Sequence, residues 1–61
     1  MATFETRDVV ECFGAMGVVV ANHGEHGNGR TVLEVLSIDG ATMMPFADEC
    51  QLIRAYRPRF V

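Results

Sequence analysis

The side chains most suited to metal chemistry lie in the segment His23-Gly24-Glu25-His26, where two imidazoles flank a carboxylate. Imidazole and carboxylate groups bind zinc, but a zinc site takes four ligands that rigid elements and further hydrogen bonds hold in place. This segment belongs instead to residues 22–30, whose three glycines and two asparagines predict an exposed, mobile loop. His23 and His26 are the best candidates for metal ligands, but on such a loop we expect them to bind no metal.

A nucleophile would have to be Cys12 or Cys50, the two cysteines of the chain. Strand alternation directs both thiols toward the predicted core, and no neighbouring residue would orient His23 as a base. In an intracellular protein we expect two such thiols to be reduced and buried. We therefore predict no catalytic residue, and we expect no cofactor.

The end of the chain alternates arginine with aromatic residues. Such side chains stack on nucleic-acid bases and pair with phosphates. Tyrosine and arginine are also preferred anchors at protein interfaces. The segment is therefore a candidate docking tail, and the alternative is a frayed terminus whose charges only add solubility. The candidate docking residues are Arg54, Tyr56, Arg57, Arg59 and Phe60.

Glycine and proline divide the chain into segments of strand length, with no helical periodicity. Strands are expected at residues 8–13, 18–21, 31–38, 41–45 and 50–55, and residues 46–49 are typical of one 3-10 turn. Side chains alternate between the two faces of a strand, so every second residue should face the core. The predicted core consists of Val10, Cys12, Val18, Val20, Leu33, Val35, Cys50 and Leu52.

Several short motifs follow one another in a recognisable order. They are Arg7-Asp8-Val9-Val10, Phe13-Gly14-x-x-Gly17-Val18-Val19-Val20, Asp39-Gly40, Pro45 and Asp48-Glu49-x-x-Leu52-Ile53. This order resembles a small Src-homology-3-type barrel, a layout that KOW and Tudor modules share. The resemblance implies an all-β fold: a small five-stranded Src-homology-3-like barrel over residues 1–55, with one 3-10 turn before the last strand. A basic-aromatic tail, residues 56–61, would follow it.

The third predicted strand, Thr-Val-Leu-Glu-Val-Leu-Ser-Ile, is apolar on both of its faces. A strand of a solitary barrel should alternate cleanly, because one of its faces meets water. Sharp bending, which buries both faces in turn, is one explanation. The other is that the outer face meets a partner, since contiguous exposed apolar patches mark interfaces. The predicted partner interface comprises Val32, Leu36, Ile38, Met43 and Met44.

Charge and composition narrow the expected function. The chain is 49% hydrophobic, which is typical of a globular domain. Its formal net charge of −3 disfavours binding to a phosphate backbone. No apolar stretch is long enough for a membrane span and no signal peptide is evident, so we expect a cytoplasmic protein with no membrane partner. The preferred function is a non-enzymatic binding module that contacts another protein or itself, as an adaptor, inhibitor or regulator, with a homo-oligomer expected.

Two alternatives remain at this stage. One is a nucleic-acid-binding barrel of the KOW or Tudor kind. The other is an oligomeric enzyme with its active site on a symmetry axis, like the plasmid-type dihydrofolate reductases, which are barrels of similar length. The Val-Gln-Ile-Tyr stretch of that family is missing, because Ala41-Thr42-Met43-Met44 stands in its place. The resemblance to such barrels implies no single function, since one fold serves many.

Overall fold

The computed structural model of the chain describes residues 4–56, and these residues form an all-β fold. The predicted five strands and the 3-10 turn before the last strand are confirmed. The elements are β1 (Val9–Cys12), β2 (Ala15–His26), β3 (Arg30–Ser37), β4 (Thr42–Met43), a 3-10 turn η1 (Ala47–Glu49) and β5 (Cys50–Arg54).

The five strands make one antiparallel sheet in the order β4-β3-β2-β1-β5. Strands β1 to β4 pair consecutively, each with the next along the chain. The last strand, β5, pairs with β1 on the other side of the sheet. Strands β4 and β5 are the two edges of this sheet. Within residues 4–56 the sheet is therefore open and not closed into a barrel, because β4 offers only two residues for pairing and β5 pairs with β1 alone.

The predicted loop over residues 22–30 is wrong, because most of this segment continues two strands. Strand β2 runs to His26 and β3 begins at Arg30, so only residues 27–29 form the turn. The glycines that suggested a loop have other uses. Gly24 has φ of 80° where the register of β2 and β3 shifts, and Gly29 has φ of 78° in the turn itself. Glycine adopts these positive φ values without a steric penalty.

The core lies on one face of the sheet and draws on the first three strands and the segment before β1. Phe4, Val10, Cys12, Val19, Leu33 and Val35 are its buried hydrophobic residues, and Met43, Ala47 and Cys50 pack against them. Four of the eight residues in the predicted core, those of β1 and β3, are confirmed as buried.

Strand β2 enters the core in the opposite phase to the one predicted. Val19 is fully buried, whereas Val18 is half-buried and Val20 is exposed. The amide of Val19 donates to the carbonyl of Asp8, and its carbonyl accepts from the amide of Arg7. These bonds fix the orientation of the strand there, and the register then shifts between Val19 and Ala21. In a run of three valines both faces of the strand are equally apolar. Alternation alone therefore predicted the wrong face of β2 as the buried one.

Leu52 also lies outside the buried core, although its partner in the register is the core residue Val10. Its side chain is 42% exposed. The reason is its place on β5, an edge strand with no further strand beyond it to cover its side chains.

Asp8 is a buried carboxylate that joins the two ends of the described chain. Its Oδ1 accepts the backbone N–H of Tyr56 at 2.9 Å, and its Oδ2 accepts the backbone N–H of Glu5 at 2.9 Å. Charge-assisted bonds of this kind are stronger than neutral ones. Asp8 therefore ties the segment before β1 to the residues that follow β5.

Candidate functional site

The outer face of the sheet, opposite the core, carries a contiguous apolar surface. Val18 of β2 lies directly opposite Leu36 of β3, and the amide of Ile38 donates to the carbonyl of Met16 at 3.1 Å. Residues opposite one another in an antiparallel pair share a face, and their side chains touch. We call the four residues Met16, Val18, Leu36 and Ile38 the outer patch.

A close approach of β2 and β3 holds the outer patch together. Gly17 lies between Met16 and Val18, and a Cβ added there would stand 2.6 Å from the carbonyl oxygen of Leu36 and 2.7 Å from Cγ1 of Val35. No real Cβ fits at such distances. Only glycine lets the two strands come this near, and the side chains on either side of it meet those of β3.

The outer patch is open to solvent. Met16 is 41% exposed, Leu36 43% and Ile38 81%. Large apolar side chains are exposed beyond the outer patch as well. Among the described residues, nine large hydrophobic residues are exposed and six hydrophobic residues are buried. Exposed apolar area of this kind in a small protein is a candidate contact surface.

Polar groups border the outer patch. Glu11 lies opposite Met16, Thr42 lies opposite Leu36, and Glu34 shares the outer face of β3. Glu34 Oε1 is 3.0 Å from Nε2 of His23. An apolar centre with a polar border is the usual anatomy of a protein interface.

A strained turn presents one further aromatic side chain at the end of the β1–β2 hairpin. Phe13 has φ of 55° and Gly14 has φ of 80°, which are the positive values of a two-residue hairpin turn. Phenylalanine is unusual in this conformation, and its side chain is 72% exposed. Strain at an exposed residue is a reason to look for function there. Phe13 is therefore a second exposed apolar feature, in the turn that joins β1 to β2.

The five residues of the predicted interface fall in different places. Leu36 and Ile38 belong to the outer patch, and Met44 is 56% exposed. Val32 is half-buried and forms a bridge with Phe46. Met43 packs against the core, opposite Val35, and so lies apart from the outer patch.

Sequence reasoning missed Met16 and Val18 as members of this surface. The signal that could have found them is alternation counted from Val10 and Cys12. The short hairpin pairs these core residues with Gly17 and Ala15, which leaves Met16 and Val18 on the outer face.

The two histidines lie apart from each other on the exposed end of the β2–β3 hairpin. His23 pairs with Glu34, and His26 lies opposite Arg30 beside the turn. Among residues 4–56 no three His, Cys, Asp or Glu side chains come together in a group that could hold a metal ion.

The fold brings the two cysteines together. Cys12 and Cys50 are direct partners in the β1–β5 pair, and their Sγ atoms are 2.7 Å apart. Cys12 is fully buried and Cys50 is partly buried; both are thiols. Burial, followed by the neighbouring Cys12, raises the pKa of Cys50 to about 12. The two cysteines are 38 positions apart in the sequence, and it is the pairing of the first strand with the last that brings them into contact.

Part of the candidate docking tail lies within the described residues. Arg54 and Tyr56, together with Arg7, Val9 and Ala55, line a shallow cavity of about 340 Å³. The Nη1 of Arg7 donates to the hydroxyl of Tyr56 at 3.0 Å, and the guanidinium lies 5.2 Å from the centre of the same ring. The remaining tail residues, Arg57, Arg59 and Phe60, lie outside the described residues.

Arg30 fastens the 3-10 turn to β3. Its Nε and Nη2 donate to the two carboxylate oxygens of Asp48 at 2.9 and 2.7 Å, and its guanidinium lies 3.8 Å from the ring centre of Phe46. The hydrogen bonds from Arg30 hold the pKa of Asp48 below its usual range. This cluster is exposed and already satisfied, so its geometry indicates a structural contact.

Comparison of the chain with protein-family models, with curated proteins and with solved structures found no match. Among residues 4–56, no helix has the length and apolar character that crossing a membrane requires.

Proposed function

We propose that this protein is a non-enzymatic binding module that acts by protein–protein contact and associates with itself through the outer patch. The observation that carries this proposal is the excess of large apolar side chains on the surface over those in the core. A second copy of the chain is the partner that needs no further assumption, because it brings a matching patch.

Burial of the outer patch would contribute favourably to such an association, against the translational and rotational freedom that two chains lose on binding. Full burial of a side chain the size of leucine stabilises by about 1.5–3 kcal/mol, so the 43% of Leu36 that is exposed represents about 1 kcal/mol per copy. Met16 and Ile38 add comparable or larger amounts, and a symmetric dimer counts each residue twice. A domain of about 60 residues has a small stability margin, which association would increase.

The proposal includes membership of the Src-homology-3-like fold class. It is supported by the sequential antiparallel pairing of β1 to β4, by the return of β5 to β1, and by the 3-10 turn directly before β5.

Sedimentation equilibrium of the wild-type chain between low and high micromolar concentration tests the proposal. We expect the mean mass to rise with concentration above the monomer value of 6.7 kDa. A chain that stays at 6.7 kDa throughout this range would contradict self-association.

Nucleic-acid binding is a second candidate function, and one observation favours it. Arg7, Arg54 and Tyr56 line the same cavity, which places two guanidinium groups beside an aromatic ring. The net charge of −3 opposes it. A single-stranded oligonucleotide titrated at two salt concentrations separates the two: affinity that falls steeply with salt and is lost in Arg54→Gln would favour this second function.

A further inference from the structure

Cys12 and Cys50 are direct partners in the β1–β5 pair. Cys12 belongs to the core, and Cys50 packs against the core. In an antiparallel pair, directly opposed residues have Cα atoms about 4.5 or 5.5 Å apart, and disulfides form at Cα separations of about 4.4–6.8 Å. The two Sγ atoms are already 2.7 Å apart and directed at each other. The pairing of the two strands therefore places these cysteines at a separation typical of disulfides.

We propose that Cys12 and Cys50 form a reversible intramolecular disulfide that fixes the edge strand β5 to β1. The oxidant is a small-molecule disulfide such as oxidised glutathione. The bond would act on β5, an edge strand whose one neighbour is β1, and it is independent of the outer patch on the opposite face.

The reaction has two exchange steps. Cys50 is the more accessible of the two thiols, so its thiolate attacks one sulfur of oxidised glutathione; a mixed disulfide forms and one glutathione thiolate leaves. The thiolate of Cys12 then attacks Sγ of Cys50 and displaces the second glutathione. Two protein thiols are oxidised, one glutathione disulfide is reduced to two glutathione thiols, and the two protein protons pass to the departing thiolates.

The environment of Cys50 makes this oxidation slow at neutral pH. Because its pKa is raised to about 12, only a small fraction is thiolate, and that fraction grows about tenfold per pH unit below the pKa. The rate of disulfide formation should therefore rise steeply from pH 7 to pH 9.

Folding should strongly favour the bond. The two cysteines are 38 positions apart, and closing a loop of this length in the unfolded chain is unfavourable. By the chain-entropy relation the native protein should form the disulfide with an equilibrium constant several hundred-fold higher than the unfolded protein does.

The experiment equilibrates the full-length chain in glutathione buffers of graded ratio, with and without urea, then alkylates free thiols and measures intact mass. We expect a monomeric product that lacks two hydrogens and takes up no alkylating agent. Trypsin should yield residues 8–30 joined to residues 31–54, since cleavage follows Arg7, Arg30 and Arg54. The ratio at half-oxidation should shift by several hundred-fold between native and urea conditions.

The variants Cys12→Ser and Cys50→Ser are the matched controls. Neither variant should form the internal disulfide within a single chain. Cys50→Ser remains informative if burying a hydroxyl at position 12 unfolds the Cys12→Ser chain. Two alkylated thiols in native wild type at every glutathione ratio would overturn the proposal. Disulfide-linked dimers as the main product, or equal oxidation in urea and in native buffer, would overturn it as well.

Discussion

Replacing Leu36 by lysine is the perturbation that bears most directly on the outer patch. Leu36 belongs to the patch, with Val18 opposite it on β2, and the residue is 43% exposed. In the monomer the introduced ammonium can reach water along its flexible stem, so the fold should survive with a loss of about 1 kcal/mol. In a symmetric dimer the same group meets its own copy in a dry interface.

The expected effect on association follows from counting both copies. Loss of the buried leucine area removes about 1 kcal/mol per copy, and an unpaired ammonium in an apolar contact adds several kcal/mol. A total of about 3 kcal/mol or more corresponds to a dissociation constant raised by about 100-fold or more. Wild type and Leu36→Lys are compared by sedimentation equilibrium, with circular dichroism to verify that both keep their β-structure.

Leu52→Lys is the matched control for this experiment. Leu52 is the same residue type with nearly the same exposure, 42%, but it lies opposite Val10, on the face of β5 turned away from the outer patch. The control substitution should leave the dissociation constant within a few-fold of wild type. Equal weakening by both substitutions would refute the assignment of the interface to the outer face, and unfolding of Leu36→Lys would show that Leu36 belongs to the core.

Three further predictions concern the fold. Gly17→Ala should lower the free energy of unfolding by about 1–3 kcal/mol in urea titration, because its Cβ would stand 2.6 Å from the carbonyl oxygen of Leu36; an unchanged midpoint would contradict the close strand approach. Leu52→Ala should cost about 1–1.5 kcal/mol, and a loss of about 4 kcal/mol would show that this edge residue is buried. In an NMR titration the carboxyl of Asp48 should have a pKa below its usual range, and Arg30→Gln should raise it. Since the folded-state pKa is the lower one, the stability from this pair is present above the unfolded pKa of about 3.9 and is lost as the pH falls through the folded value; identical titration in both proteins would contradict the pair.

Much of the fold follows from local signals in the sequence. The strands and the 3-10 turn each depend on residues close in the chain, and the structure has each of them near its predicted place. The burial of Val10 and Cys12 follows from alternation on β1, where Glu11 between them marks the other face as polar. Where the faces do not differ, as in Val18-Val19-Val20, alternation has no preferred phase, and contacts from the segment before β1 decide it.

Features that depend on the pairing and register of the strands were not predicted. The glycines and asparagines of residues 22–30 have the composition of a loop, yet the register shift at Gly24 and the short turn accommodate them within a hairpin. The contact of Cys12 with Cys50 required the pairing of β1 with β5, and the membership of Met16 in the outer patch required the register of β1 with β2. Pairing of this kind is a property of the whole sheet.

The central claim is that the outer patch of one chain contacts the outer patch of another. Isotope-filtered NMR on an equimolar mixture of labelled and unlabelled wild-type protein measures this contact directly, because only nuclei on different chains give a signal. We predict intermolecular NOEs among the side chains of Met16, Leu36 and Ile38 at concentrations where the mass exceeds 6.7 kDa. Intermolecular NOEs confined to β5 and Tyr56, or none from the outer patch in a sample that is demonstrably dimeric, would contradict the account.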